Sequence, residues 1–241
     1  MSGWQLVDNS AQAYERYLVP AVLGPFADDL VEIVRPGDRV LDVACGTGIL
    51  ARRAADRGAA VVGVDLNEQM LGVARALDPA IEWIAADAAE LPLPDDSVDR
   101  VFCQQGLQFM SDPAATVREM ARVLAPRGTL TLSVFRPIEF SPVYAILAGL
   151  LDPEAAAIMR SPFAGPDADQ LRALTGGTVR IAIKSVRFPS AAELLRQEVA
   201  SSPMSPTVDA ALEEAFAAAI RHYTDDDGVV FPMETNVVRA Q

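Results

Sequence analysis

Residues 39–51, Arg39-Val-Leu-Asp-Val-Ala-Cys-Gly-Thr-Gly-Ile-Leu-Ala51, decide the fold. Val40, Leu41, Val43 and Ala44 form a short apolar run, the pattern of a strand buried on both faces. The run stops at Gly46 and Gly48, and Ile49 to Ala55 then reads as a helix. Strand, glycine turn and helix together open a ligand-binding α/β unit. Glycine lets the backbone approach a ligand, and a helix start presents unpaired N–H groups. The spacing Gly46-x-Gly48-x-x-Ala51 also meets a loose dinucleotide fingerprint, so the glycines alone do not choose the ligand. Asp42 narrows the choice, because an ionisable group in an apolar strand is costly without a partner. It either faces a ligand or caps local backbone amides.

The chain of 241 residues suits one α/β domain with insertions. Its net charge is −13, and of 20 basic residues only Lys184 is a lysine. Such a balance repels phosphate backbones and disfavours a nucleic-acid substrate. The start has neither a charged nor an apolar leader segment, and the longest apolar run, Val143 to Leu151, is too short to span a bilayer. A soluble cytoplasmic protein is expected. Cys45 and Cys103 lack metal-ligand spacing and read as free thiols, and no metal is expected.

Outward from the glycine turn, residues 9–34 read as helical, with Pro20 and Pro25 expected to break the run. Tyr14, Tyr17, Leu23, Phe26, Leu30 and Ile33 form its apolar stripe. Downstream, Ala60 to Asp65 is a second buried strand ending in an acid, about 20 residues beyond the turn, where a carboxylate can accept from ribose hydroxyls. Asp65 can equally serve the start of the helix Asn67–Leu77. A third strand, Ile81 to Ala86, leads to Asp87, again an acid at a strand end. Val98 to Gln105 and Thr129 to Phe135 are strands four and five, separated by a helix from Asp112. This alternation predicts a parallel, doubly wound sheet. Two helical insertions follow, residues 136–176 and 190–227, around a sixth strand, Val179 to Phe188. A closing strand, Val229 to Val238, ends the pattern. A single domain is expected, with a core of about 36–135, 177–189 and 228–241 and a cap of about 1–35, 136–176 and 190–227. With the N-terminal helix, the insertions can meet above the strands' carboxyl ends, where such sheets bind ligands.

The segments Val40-Leu-Asp-Val-Ala-Cys-Gly-Thr-Gly48, Val61-Val-Gly-Val-Asp65, Ala86-Asp87-Ala88 and Leu124-Ala-Pro-Arg-Gly128-Thr-Leu, in this order, resemble a class I S-adenosylmethionine-dependent methyltransferase. The likeness is to the ubiquinone/menaquinone-biosynthesis-like group with small-molecule acceptors, and it covers about residues 36–135. It implies a Rossmann-like, mostly parallel seven-stranded sheet with an antiparallel last strand and a helical cap. It also implies S-adenosyl-L-methionine as cofactor. By position it puts Ala44, Gly46 and Gly48 against the methionine and ribose parts and Asp65 on the ribose. Leu66 and Met70 flank the adenine, Asp87 and Ala88 meet its edge, and Gln104 and Gln105 lie near the methionyl amino group. The cofactor carries a sulfonium, an ammonium and no phosphate, a charge pattern that suits Asp42, Asp65 and Asp87. A dehydrogenase reading lacks a Tyr-x-x-x-Lys pair.

Relatives that carry histidine after strand four are not matched here, where the residues are Gln104-Gln-Gly-Leu-Gln108; the sole histidine is His222. Tyr14, Gln108 and His222 are the catalytic or substrate-positioning candidates, and Tyr14 or Tyr17 can hold the cationic cofactor by ring-face attraction, worth about 0.5–2 kcal/mol. The expected activity is methyl transfer to an apolar small molecule, a quinone precursor or secondary metabolite. A cyclase or pericyclase that holds the cofactor without transferring methyl is the alternative, and a regulatory module with a degraded site is a third. Monomer and homodimer are both open.

Overall fold

The structure, a computed structural model, describes residues 10–203 and 208–241. The expected helix start at Asn9 and the Met204–Pro206 part of the cap lie outside them. Five parallel strands, connected through helices except between β3 and β4, and an antiparallel C-terminal part build one sheet. Its strands are β1 (Arg39–Val43), β2 (Ala60–Asp65), β3 (Glu82–Ala85), β4 (Val98–Gln104), β5 (Leu124–Phe135), β6 (Thr178–Phe188), the two-residue β7 (Thr224–Asp225) and β8 (Gly228–Ala240). They run in the order β3-β2-β1-β4-β5-β8-β6, with β7 pairing only to β8. The first five are mutually parallel, and β8 enters antiparallel between β5 and β6. The order reverses direction at β1, so β1 and β4 leave a crevice at their carboxyl ends, the usual ligand position of such sheets.

Strand pleating divides the core. Val40 and Phe102 face one side, while Leu41, Val43, Val101 and Cys103 face the other. The second face is covered by α5 (Pro113–Val123) and α8 (Ala168–Thr175). The first face packs against α3 (Ile49–Asp56) and the whole helical cap. That cap comprises α1 (Ser10–Ala13) and α2 (Gly24–Leu30) near the N-terminus, and α6 (Pro142–Leu150), α7 (Pro153–Arg160), α9 (Ala191–Ser201) and α10 (Ala210–Ala219) from the insertions. Its buried residues, among them Leu18, Leu147, Leu194 and Phe216, form one cluster with Phe135, Phe188 and Phe231 of the sheet.

One expectation is corrected. Pro20 and Pro25 do not break the first helix: a π-helical segment, Tyr14–Leu23, joins α1 to α2 and carries Pro20 inside it. Pro25 falls directly after the π segment, in the first turn of α2. The i→i+5 bonding of the π segment lengthens each turn, so residues four apart, Tyr14, Leu18 and Val22, stay on one face. On the sixth strand, Ile181 and Ile183 are exposed, and Ala182, Val186 and Phe188 point inward. The strand is an edge, and only its even-numbered face meets the cap.

Helix α4 (Glu68–Leu77) and β3 enclose a small cluster around Trp83, which also sets the glycine turn. Gly48 has φ +85°, and a Cβ there would lie 2.2 Å from the Trp83 ring. Gly48→Ala adds that overlap to a left-handed backbone, and an unfolding free-energy loss of about 2–5 kcal/mol is expected. Gly37, at φ +86°, has open space around the same atom, so Gly37→Ala should lose only about 1–2 kcal/mol. Urea titration of both variants measures the difference; equal losses would remove Trp83 from this account.

Candidate functional site

The glycine turn is held from below and from the side by two acids. Gly48 stands at the N-cap of α3 with no side chain to offer. Its place is taken from β1: Asp42 Oδ2 accepts the Ala51 N–H at 3.0 Å. Asp42 is therefore a remote cap of α3. It is buried, and desolvation pushes its pKa up to about 8, opposed by the Ala51 N–H and reinforced by the charge of Asp65. Asp65, at the end of β2, accepts from Gly46 N–H through Oδ2 at 2.7 Å and from Asn67 N–H through Oδ1 at 2.8 Å. It thus ties the glycine turn to the β2–α4 loop, and Asn67, not Asp65, caps α4. Burial also raises the Asp65 pKa, and these N–H groups pull it back. Each carboxylate oxygen retains a second lone pair for another donor.

Across the crevice, Ala44 and Gln105 both adopt left-handed backbone, at φ 55° and 53°. Such strain in non-glycine residues persists only where surrounding contacts impose it. Gln105 donates its N–H to Ser133 O at 2.9 Å, and its side-chain amide to Thr235 Oγ1 at 3.0 Å. Gln104 donates to Leu23 O at 2.8 Å, fixing β4 to the cap. The side-chain oxygens of both glutamines are buried without a donor.

The remaining expected cofactor positions follow β2 and β3 or lie on α4 and the π segment. Leu66 follows Asp65 and is 70 % exposed, an apolar side chain left uncovered at a strand end. Met70 is buried beside Ala11 and packs with Tyr14. Asp87 is exposed at the end of β3 and accepts the Ala89 N–H at 2.8 Å, while Ala88 is buried. Tyr14 is partly buried, its ring 4.0 Å from where a Gly46 Cβ would stand. Burial, with Asp65, raises the pKa of its phenol, so the hydroxyl stays protonated. Tyr17 lies elsewhere in its contacts: Arg16 sits 5.3 Å over its ring. Next to Tyr14, Glu15 pairs with Arg52 of α3 at 2.7 Å, and Glu15 Oε2 is buried without a donor.

An apolar cavity of about 90 Å³ adjoins the turn under the cap, with Tyr14 shared between its wall and the turn. Tyr14, Leu18 and Val22 of the π segment form one wall, and Phe135, Phe163 and Met233 another. Its polar lining is Gln105, Gln108, Glu198 and Ser202, with the Tyr144 hydroxyl. Gln108 has neither a donor nor an acceptor partner for its buried amide. His222 does not line this cavity; it is exposed, with its ring tilted against Tyr223 at 4.1 Å between centroids. Sequence reasoning missed Tyr144 and Glu198, which meet at 2.5 Å inside the cavity wall. A signal was present: Leu194, Leu195, Glu198 and Ser201 share the buried face of α9, so an acid stands in an apolar stripe.

The buried Asp42 makes stability pH-dependent. Its folded pKa of about 8 exceeds the ordinary 3.8, so the folded chain holds a proton that the unfolded chain releases. That contribution is complete below the ordinary value and is lost as pH rises toward the folded one. Melting temperature should therefore decline over this interval, and Asp42→Asn should flatten the decline. Calorimetric scans of both proteins across this range check it; parallel curves would mean that Asp42 is ionised in the fold.

A family model described as "Methyltransferase domain" matches residues 41–132. The demethylmenaquinone methyltransferase of Renibacterium salmoninarum is 38% identical over 133 residues, covering 55% of this chain and 56% of that protein. The ubiquinone/menaquinone biosynthesis C-methyltransferase UbiE of Xanthomonas oryzae pv. oryzae is 39% identical over 124 residues, covering 46% and 49%. The chain thus spans about half the length of the curated relatives it matches. Among solved structures, the YcgJ protein of Bacillus subtilis superposes with a TM-score of 0.60 at 19% identity, covering 90% of this chain and 96% of that one. That likeness concerns the fold alone. With the strand order and the Asp65-held glycine turn, these matches make residues 41–132 similar to a methyltransferase domain.

Proposed function

We propose that this protein transfers a methyl group from S-adenosylmethionine to an apolar small molecule, a quinone precursor or secondary metabolite, held under the cap. One observation carries this reading: Tyr14 lies against Gly46 of the glycine turn and also lines the cavity, so a cofactor crevice and an acceptor cavity adjoin. The crevice fits the cofactor chemically. Its buried, donorless atoms include Gln104 Oε1, Gln105 Oε1 and Glu15 Oε2, and its acids are Asp42 and Asp65, a set of acceptors suited to an ammonium and a sulfonium. Bound there, the cofactor supplies an electrophilic methyl.

The chain's own residues hold and exclude. Asp65 keeps the turn in place and offers its free lone pairs to ribose hydroxyls, with Ala44, Gly46 and Gly48 forming the floor. Leu66 and Met70 cover the adenine, and Asp87 and Ala88 meet its edge. Gln104 and Gln105 offer side-chain oxygens to the amino group. Tyr14 acts as a ring face and a hydrogen-bond donor, because its raised pKa removes it as a base near neutrality. Tyr17 supports Tyr14 from the same segment. Gln108 can donate to and accept from an acceptor oxygen, and Phe135, Phe163 and Met233 keep water from it. Alignment in a dry cavity supplies rate without a dedicated base. His222, exposed on Tyr223, enters the reaction only if the cap closes further. Residues of both insertions line the cavity, so acceptor selection belongs to the cap.

The net charge of −13 and the apolar lining support an acceptor other than nucleic acid. Among the described residues no helix is long and apolar enough to cross a membrane. No observation favours the cyclase alternative.

Calorimetry should show binding of S-adenosylmethionine and its demethylated product, and none of NAD; the reverse result would sink the reading. Asp65→Ala should weaken cofactor binding by about 1.5–3 kcal/mol, the range for hydrogen bonds to a charged group. It should also lower the melting temperature, since Gly46 and Asn67 lose their shared acceptor. Unchanged affinity beside a lowered melting temperature would reduce Asp65 to a scaffold residue.

A further inference from the structure

Glu198 is a buried acid with no cation beside it. It sits on α9, 6 % exposed, and its one hydrogen bond among the described residues comes from the Tyr144 hydroxyl of α6 at 2.5 Å. A carboxylate has room for about four donors, so most of its accepting capacity is unmet in the wall of an apolar cavity. Burying such a group costs several kcal/mol, and an apolar residue of similar volume would pack there without that cost. Burial pushes the Glu198 pKa up to about 7, with the Tyr144 bond opposing. Burial and the charge of Glu198 raise the Tyr144 pKa, so the phenol remains the donor. The direction of the bond is thereby set, and the unused acceptor positions of Glu198 belong to the cavity.

The surroundings indicate what would use them. Phe163 stands between Phe135 and Tyr144, at 5.4 and 5.7 Å between ring centroids, and Tyr144 also meets Phe231 edge-on at 5.6 Å. Rings at such separations form a wall suited to another aromatic ring. We propose that Glu198, oriented by Tyr144, binds the methyl acceptor by taking the hydrogen bond of one aromatic hydroxyl, the ring lying against Phe135 and Phe163. This rests on the methyl-transfer reading of the cavity. A hydroxyl fits better than an ammonium, because a cation would have to be desolvated against a single counter-charge. Glu198 is the contact residue, and Tyr144 is a positioning residue.

The test uses the full chain saturated with the demethylated cofactor product and titrated calorimetrically with naphthol, methoxynaphthalene and naphthylmethylamine. Wild type should prefer naphthol over methoxynaphthalene by about 10–100-fold, the range for a hydrogen bond to a charged group. Glu198→Leu should abolish the preference and leave methoxynaphthalene affinity nearly unchanged. Tyr144→Phe should reduce the preference less, because the carboxylate remains without its orientation. Should the leucine variant unfold, Glu198→Gln keeps the volume and should still shrink the preference several-fold; thermal melts establish that each variant is folded. An equal loss of affinity for naphthol and methoxynaphthalene would show a packing role and overturn the proposal. So would absence of preference in wild type, or tighter binding of naphthylmethylamine than of naphthol. If neither arene binds while the cofactor product does, this proposal falls and the methyl-transfer reading stands. If the cofactor product fails to bind, that reading falls, and the naphthol preference is measured without it.

Discussion

The carboxylate of Asp65 is the constraint on which the rest of the site depends. Its two oxygens take the N–H groups of Gly46 and Asn67, which belong to separate loops after separate strands. One side chain thereby sets the distance between the turn that opens α3 and the loop that opens α4. Asp42 repeats the device one strand over, reaching the third residue of α3 because Gly48 has no side chain for the task. The turn can then carry left-handed glycines and still keep one shape. The consequence is electrostatic: two buried acids stand beside Tyr14, and each raises its pKa. Burial raises the pKa of both acids, so the polarity of the crevice lies in their oxygens rather than in two full charges.

The acceptor cavity depends on a different physical choice. The first helix continues past Pro20 by widening its turns, and this keeps Tyr14, Leu18 and Val22 on a common face. A helix broken at Pro20 would have split that wall. The insertions close the other sides, and the N-terminal helix, both insertions and the sheet share one apolar cluster. The cap is thus held by burial of apolar surface, about 25 cal/mol for each Å² removed from water, while a few polar groups inside it are left short of partners. Gln105 and Gln108 are among those groups, and Glu198 meets only the Tyr144 hydroxyl.

Much of the fold was legible before any coordinates. The largely apolar runs at 40–44 and 60–64 and the alternating run at 129–135 read as strands, and glycines and acids follow the first two. The parallel, doubly wound sheet follows from that pattern, while the antiparallel last strand and the cofactor class were implied by the resemblance. Local residue types settle the sheet, because a parallel strand buried on both faces admits few sequences. The roles of the acids were only half legible: Asp65 and Asp42 were visible as candidates, and their partners, Gly46 and Asn67 for one and Ala51 for the other, were not.

Tertiary structure decided what depends on groups distant in the chain. Tyr144 and Glu198 are 54 positions apart and meet only because two insertions fold over the same strand ends. His222, conspicuous as the sole histidine, is carried to the surface beside Tyr223 by the turn that closes α10. Pro20 is absorbed because tertiary packing of Leu18, Val19, Val22 and Leu23 outweighs its local preference to end a helix. By itself the sequence determined the sheet and the cofactor crevice, since both are written in contiguous runs. The acceptor cavity belongs to the tertiary structure, because burial and hydrogen bonding between separate segments are properties of neither segment alone.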